Sequence, residues 1–137
     1  MADAVTARIY ETDTHLLVHM TNISDGTGES AVKKVDKSTY TTTDGAEPDS
    51  LDIETVRWNV QGFASVRILW DHTTDDVALA LSGSGYDDFR GDGAARFFQG
   101  LKDPRSAGDT GDILLTTNGG VSGSTYDITL RLRKTPQ

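Results

Sequence analysis

The tightest constraint on this chain is the strict alternation near its end. Ile128, Leu130 and Leu132 are apolar, and Thr129, Arg131 and Arg133 between them are polar. A period of two puts the first set on one face of an extended strand and the second on the other. Such a strand needs a core on one side and water on the other, which describes an antiparallel sandwich or barrel. The same phase recurs upstream. Val56, Trp58 and Val60 alternate with Thr55, Arg57 and Asn59; Val66, Ile68 and Trp70 share a face away from Arg67; Val77, Leu79 and Leu81 alternate with Ala78 and Ala80.

Composition agrees with the pattern. Eighteen Thr, nine Val and six Ile make about a quarter of the 137 residues β-branched, a strand-forming usage. The acidic residues are seventeen Asp and only four Glu. Asp serves turns and caps, whereas Glu serves helix interiors.

Less regular strands complete the set. Val5 to Tyr10 and Leu16 to Met20 form an expected first pair around Glu11 to Thr14. Ala31 to Val35, short and carrying Lys33 and Lys34, has the polarity of a sheet edge. Ile113 to Thr117 follows a turn-rich stretch. The expectation is an all-β antiparallel β-sandwich of eight or nine strands, in a single domain over 1–137. A jelly-roll-like sandwich and an immunoglobulin-like one share this count and alternation.

Two stretches break the rhythm. Thr39 to Ser50 reads as a polar loop, free to move or to serve as a contact arm. Asp92 to Leu101 sets Ala94, Phe97, Phe98 and Leu101 at helical spacing behind Asp92, so at most one short helix is expected there. Gly91, Gly93 and Gly100 count against it.

Charge and residue usage exclude several functions. With no cysteine there is no disulfide and no thiolate chemistry. A net charge of −8 opposes binding to phosphate backbones, so no nucleic-acid partner is expected. No apolar run approaches a membrane span, and the start lacks the basic and apolar regions of a signal peptide.

Chemical motifs are sparse. His15 and His19 stand four apart, a metal-binding spacing on a helix; on a strand they lie about 13 Å apart and do not chelate one ion. His72, among Asp71, Asp75 and Asp76, reads as part of a turn. The acidic pairs Asp25/Glu29, Asp75/Asp76, Asp87/Asp88 and Asp109/Asp112 lack the calcium-loop spacing. Ser82-Gly83-Ser84-Gly85 lacks the frame of a nucleophile elbow. Arg90-Gly91-Asp92 spells an adhesion tripeptide with an ordinary turn reading. Trp58 and Trp70 lie on the apolar phase, which favours packing over sugar stacking. The expectation is a non-enzymatic binding protein without cofactor or metal. Its contact surfaces are the edge strand, the Thr-rich loop and the N-terminal segment, with Lys33, Lys34, Tyr40 and Asp44 as contact residues.

Several strings, taken in order, resemble a known group. They are Thr21-Asn22-Ile23-Ser24-Asp25-Gly26-Thr27-Gly28-Glu29 running into Ser30-Ala31-Val32-Lys33-Lys34-Val35-Asp36; Val66-Arg67-Ile68-Leu69-Trp70-Asp71; Leu81-Ser82-Gly83-Ser84-Gly85-Tyr86-Asp87-Asp88-Phe89; Thr110-Gly111-Asp112-Ile113-Leu114-Leu115-Thr116-Thr117; and Ser122-Gly123-Ser124-Thr125-Tyr126-Asp127-Ile128-Thr129-Leu130. As a set, from about Ala4 to Leu132, they resemble virion structural proteins of tailed bacteriophages of the head decoration, or capsid cement, type. The resemblance implies a protein on the outer surface of the capsid that bridges copies of the major capsid protein. It also implies a homo-oligomer, trimer or dimer. It is weakest over Tyr40 to Ser50 and Arg90 to Gly100, where a capsid-specific contact is expected to vary. That adds Arg90, Arg96, Phe97 and Phe98 to the contact residues. A vertex, neck or tail component and a carbohydrate-binding module are the alternatives.

Overall fold

The computed structural model describes residues 3–89, 100–105 and 107–135. Nine strands follow in chain order: β1 Ala4–Glu11, β2 His15–Asp25, β3 Val32–Val35, β4 Ser50–Gln61, β5 Ser65–Trp70, β6 Asp76–Leu81, β7 Ser84–Asp88, β8 Ile113–Asn118 and β9 Ser122–Thr135. Among the described residues the helical element is one 3-10 turn, Lys37–Thr39, capped by the Asp36 side chain accepting from Ser38 N–H.

The strands form two antiparallel sheets, ordered β1-β2-β9-β4-β7 and β3-β8-β5-β6. The pairings nest. β2 lies beside β9, β3 beside β8, β4 beside β7 and β5 beside β6. A chain paired in this way is one long two-stranded ribbon rolled up until its halves face each other. That is the jelly-roll connectivity, which separates this fold from an immunoglobulin-like sandwich with the same number of strands.

The alternation read from sequence fills the space between the sheets. Leu16, Val18 and Met20 of β2, Val56 and Val60 of β4, Val66, Ile68 and Trp70 of β5, and Ile128, Leu130 and Leu132 of β9 are all buried in one apolar cluster. Each such side chain contributes roughly 1.5–3 kcal/mol on leaving water. β3 is an edge, as its lysines suggest. β1 and β2 form the expected first hairpin, with an unbroken register from Ala4 opposite Ile23 to Glu11 opposite Leu16.

Two bulges correct the reading of phase. In β6, Leu79 pairs with Ile68 but Val77 pairs with Leu69, so Ala78 is an extra residue. An extra residue turns the strand over, and Val77 faces out, 53 % exposed, instead of joining Leu79 and Leu81. In β4 the register shifts between Ile53 and Thr55, making Glu54 the extra residue.

Of the expected short helix, residues 92–99 lie outside the described residues. Its last residue, Leu101, is extended. It bridges to Ile53 through N–H···O contacts of 2.7 and 2.9 Å.

Candidate functional site

The inward phase of the long strands continues past the apolar residues into polar ones. On β2 the series Leu16, Val18, Met20 runs on to Asn22 and Ser24; on β9 it runs from Ser124 and Tyr126 through Leu132 to Lys134. All of these are buried. Polar groups withdrawn from water need partners, and here those partners are loops at opposite ends of the sandwich.

At one end, Asn22 Nδ2 donates to Glu29 Oε1 at 2.8 Å and to Asp3 Oδ2 at 3.0 Å. Tyr126 donates its hydroxyl to the same Glu29 oxygen, and Lys34 Nζ binds the other. Asp3 also accepts from Ser24 Oγ and from the backbone N–H groups of Asp25 and Gly28. Desolvation opposes the Asp3 charge. The donors Asn22, Gly28, Ser24 and Asp25 outweigh it and hold the carboxyl down at about 2. Burial first, and then Glu29, push the Tyr126 hydroxyl far above the usual tyrosine range. The network fixes the glycine-rich turn after β2, where Gly26 and Gly28 have φ of 101° and 77°.

At the other end, Lys134 Nζ donates to Glu11 Oε2 at 2.8 Å, to the Thr12 carbonyl at 2.6 Å and to the Thr41 carbonyl at 2.5 Å. Thr41 N–H reaches the same Glu11 oxygen. The hairpin turn and the Thr-rich loop are therefore clamped by one buried cation. Lys37 Nζ adds a hydrogen bond to the Pro48 carbonyl, and Asp49 N–H binds the Thr135 carbonyl. The loop expected to move or to serve as a contact arm is tied near its start, at Thr41, and at its end, at Pro48 and Asp49. Asp44 lines a small cleft between this loop and the hairpin turn, beside Asp13 and Thr14.

Of the contact residues expected from sequence, the four described ones are presented unequally. Lys33 is half-exposed at the β3 edge and pairs with Asp112 at 2.9 Å. Lys34, expected beside it as a contact, instead turns inward and its side chain is buried against Glu29. Lys34 is the extra residue where the β3–β8 register shifts between Lys33 and Val35, so it turns inward together with Val35 while Lys33 stays exposed. Tyr40 is half-buried against the core, and burial, then the charges of Glu11 and Asp36, raise its hydroxyl. Asp44 is exposed. Arg90, Arg96, Phe97 and Phe98 lie outside the described residues.

No family model matches the chain, and no curated protein or solved structure is significantly similar to it.

The histidines behave in three ways. His19 Nε2 meets Asp127 at 2.8 Å on the surface. His15 Nε2 meets Glu54 Oε1 at 3.0 Å, and Arg131 Nε donates to the same oxygen at 3.0 Å. Beside them, Arg133 and Lys102 share the buried carboxylate of Asp52. His72, read as an ordinary turn residue, is fully buried between Asp103, 2.6 Å from Nε2, and Asp76, 2.8 Å from Nδ1. It joins the β5–β6 turn to the 101–105 segment, a long-range pairing with no trace in local sequence. Among the described residues no cluster has the composition of a metal site.

Of the two tryptophans, Trp70 is buried in the core. Trp58 is half-buried at its margin, over Gly85 of β7, with its indole N–H donated to the Ser82 carbonyl. Neither stands free as a sugar platform.

The N-terminal segment, expected among the contact surfaces, is the β1 strand, and with β2 it carries exposed apolar residues. Val5, Tyr10, Leu17 and Ile23 of the β1–β2 ribbon are 39, 60, 42 and 62 % exposed. Tyr10 lies opposite Leu17, and Ile23 opposite Ala4, on the outer face; Val5, Ala7 and Ile9 follow the inner phase of β2. Of these three only Ile9 packs against the core, because β1 is a fifth strand on a sheet facing a sheet of four. On the outer face of the ribbon the apolar residues stand at its two ends, Tyr10 with Leu17 near the hairpin turn and Ile23 at the other, with Thr6, Arg8, His19 and Thr21 between them.

Proposed function

We propose that this chain is a non-enzymatic capsid decoration protein that binds the outer surface of a tailed-phage head and bridges neighbouring capsid subunits. The observation that carries the reading is the set of exposed apolar residues Tyr10, Leu17 and Ile23 on the outer face of the β1–β2 ribbon, on a rolled-up sandwich whose turn after β2 and Thr-rich loop are each held by a buried polar network. Such a body suits clamping, because little order must be gained on binding and most of the contact energy is kept. The net charge of −8 suits the outside of a shell, where packaged DNA does not repel it. Each bridged junction adds an interface, and repeated contacts gain from effective concentration once the first is made. The resemblance of the sequence strings to virion proteins supplies the partner, the major capsid protein.

Quantitative mass spectrometry of purified particles tests the reading. A copy number comparable with that of the major capsid protein supports it, together with tighter binding to assembled shells than to free subunits. A handful of copies assigns the chain to a vertex, neck or tail instead. Absence from the particle overturns a virion role.

A further inference from the structure

The sheets have four lateral strands, and three of them carry features that block pairing with a foreign strand. β3 is four residues long, has two lysines and contains a register shift. β6 carries the bulge at Ala78. β7 is five residues long and ends in Asp87-Asp88. Short length, charge and bulges are the usual ways of protecting a sheet edge. β1 is neither short nor bulged: it is eight residues long, Ala-Val-Thr-Ala-Arg-Ile-Tyr-Glu, without proline or lysine, its charges are Arg8 on the outer face and Glu11 at its end, and among the described residues it pairs with β2 alone.

We propose that β1 is a self-association edge, pairing antiparallel with β1 of a second copy about a two-fold axis perpendicular to the sheet. Backbone alternation determines which groups are offered. Thr12 N–H bonds the His15 carbonyl at 2.9 Å at the closed end of the hairpin. Continuing that alternation along the ladder turns the N–H and C=O groups of Val5, Ala7, Ile9 and Glu11 toward the free edge.

A two-fold of this kind keeps inner face with inner face, so odd-numbered residues pair with odd and even with even. One register is then self-complementary. With Ala7 opposite its own copy, Val5 meets Ile9 of the partner subunit on the inner face, while Thr6 meets the partner's Arg8 and Ala4 meets the partner's Tyr10 on the outer face. Val5, Ala7 and Ile9, whose backbone groups point to the free edge, become hydrogen-bonded pairs, each exchanging both backbone bonds. At the ends Asp3 approaches the partner's Glu11, but these carboxylates are already held by Asn22 and Ser24 and by Lys134 respectively. Sliding the register one way sets Arg8 against its own copy. Sliding it the other way sets Asp3 against Ile9. Like charges or a charge against an apolar side chain disfavour both.

The product is a sheet continuous through both β1 strands, with exposed Val5 and half-buried Ile9 covering each other. An interface of one strand pair is small, so the dimer forms in proportion to concentration in solution. The pairing uses the free edge of the same ribbon on which the shell-binding reading rests, and the two are told apart by where they are measured: the oligomeric state of the free protein here, the copy number and affinity on particles there.

The chain has no cysteine, so Ala7→Cys provides a clean test. In the proposed register the two substituted positions sit at the Cα separation of a hydrogen-bonded pair, about 5.5 Å, within reach of a disulfide. Oxidation is expected to give a covalent dimer of twice the 14.8 kDa chain mass, with Thr6→Cys and Arg8→Cys cross-linking far less. Analytical ultracentrifugation of the unmodified protein is expected to show a monomer–dimer equilibrium. Ala7→Pro, which removes only an edge-facing N–H, is expected to abolish the dimer while leaving the melting temperature within a few degrees. A protein that stays monomeric at high concentration, a dimer that survives Ala7→Pro, or equal cross-linking at positions 6, 7 and 8 would overturn the proposal.

Discussion

Tyr126 donates its hydroxyl to Glu29 Oε1 at 2.5 Å, across 97 positions of sequence. The bond joins the middle of β9 to the turn after β2, and it shares its acceptor with Asn22. A hydrogen bond to a charged acceptor in a buried setting contributes about 1.5–3 kcal/mol.

Tyr126→Phe is therefore expected to lower the unfolding free energy by about 2 kcal/mol. Tyr126→Ala is expected to cost more, about 3–5 kcal/mol, because it also leaves a cavity against Phe63, whose ring lies 6.2 Å away. Urea unfolding at neutral pH measures both. Equal midpoints for Tyr126→Phe and the natural chain would remove the network from the stability of the fold. Ultraviolet titration adds a second readout: of the four tyrosines, Tyr126 ionises only as the protein unfolds in alkali.

Gly85 lies opposite Trp58 across the β4–β7 pair. A Cβ there would stand 2.6 Å from Trp58 Cζ2, far inside contact distance. Gly85→Ala is expected to displace the indole and cost about 1–3 kcal/mol, the range for overpacking. The change should appear in tryptophan emission as well as in the melting temperature. An unchanged emission spectrum and melting temperature would place the ring elsewhere in solution.

The carboxyl of Asp3 is depressed to about 2, below the ordinary value of about 3.9. A depressed acid contributes stability above its unfolded value and loses it as pH falls through its folded value. The contribution is full above about pH 4 and disappears toward pH 2. Asp3→Asn is expected to be less stable than the natural chain at pH 5, with the difference shrinking on acidification. A gap that stays constant across that range would rule out a folded-state carboxylate at this position.

His72 titrates in the opposite sense. Its burial alone would lower its basicity, but hydrogen bonds and charge from Asp103 and Asp76 outweigh this and raise it. A raised base contributes stability below its unfolded value, near 6.5, and loses it as pH rises through the folded value. Stability of the natural chain should therefore fall as pH rises above about 6.5, and His72→Asn should flatten that slope. Imidazole NMR shifts give the titration directly; a His72 resonance that titrates below 6.5 would contradict the pairing.

Much of the sandwich was legible because its cause is local. The alternation of Ile128, Leu130 and Leu132 assigns a buried face whatever partner covers it, and the lysines of β3 mark an edge. The same rule, carried one step further, points to Lys134 and Asn22 as inward polar residues. The signal was present, but its meaning depended on loops that sequence does not place. The burial of Lys34 has no local signal, because it follows from a register shift between β3 and β8 that only the strand pairing sets.

The sequence by itself determined that this chain forms strands with one apolar face, turning at Asp- and Gly-rich connections and carrying an acidic surface. Only the tertiary structure decided that β2 rolls up against β9, that Ala78 reverses the face of Val77, and that His72 finds Asp103. It also left β1 with an open edge. Alternation and turn chemistry act between residues a few positions apart. Register, bulges and buried ion pairs are settled between strands far apart in sequence, where the shared core accepts one arrangement and excludes its neighbours.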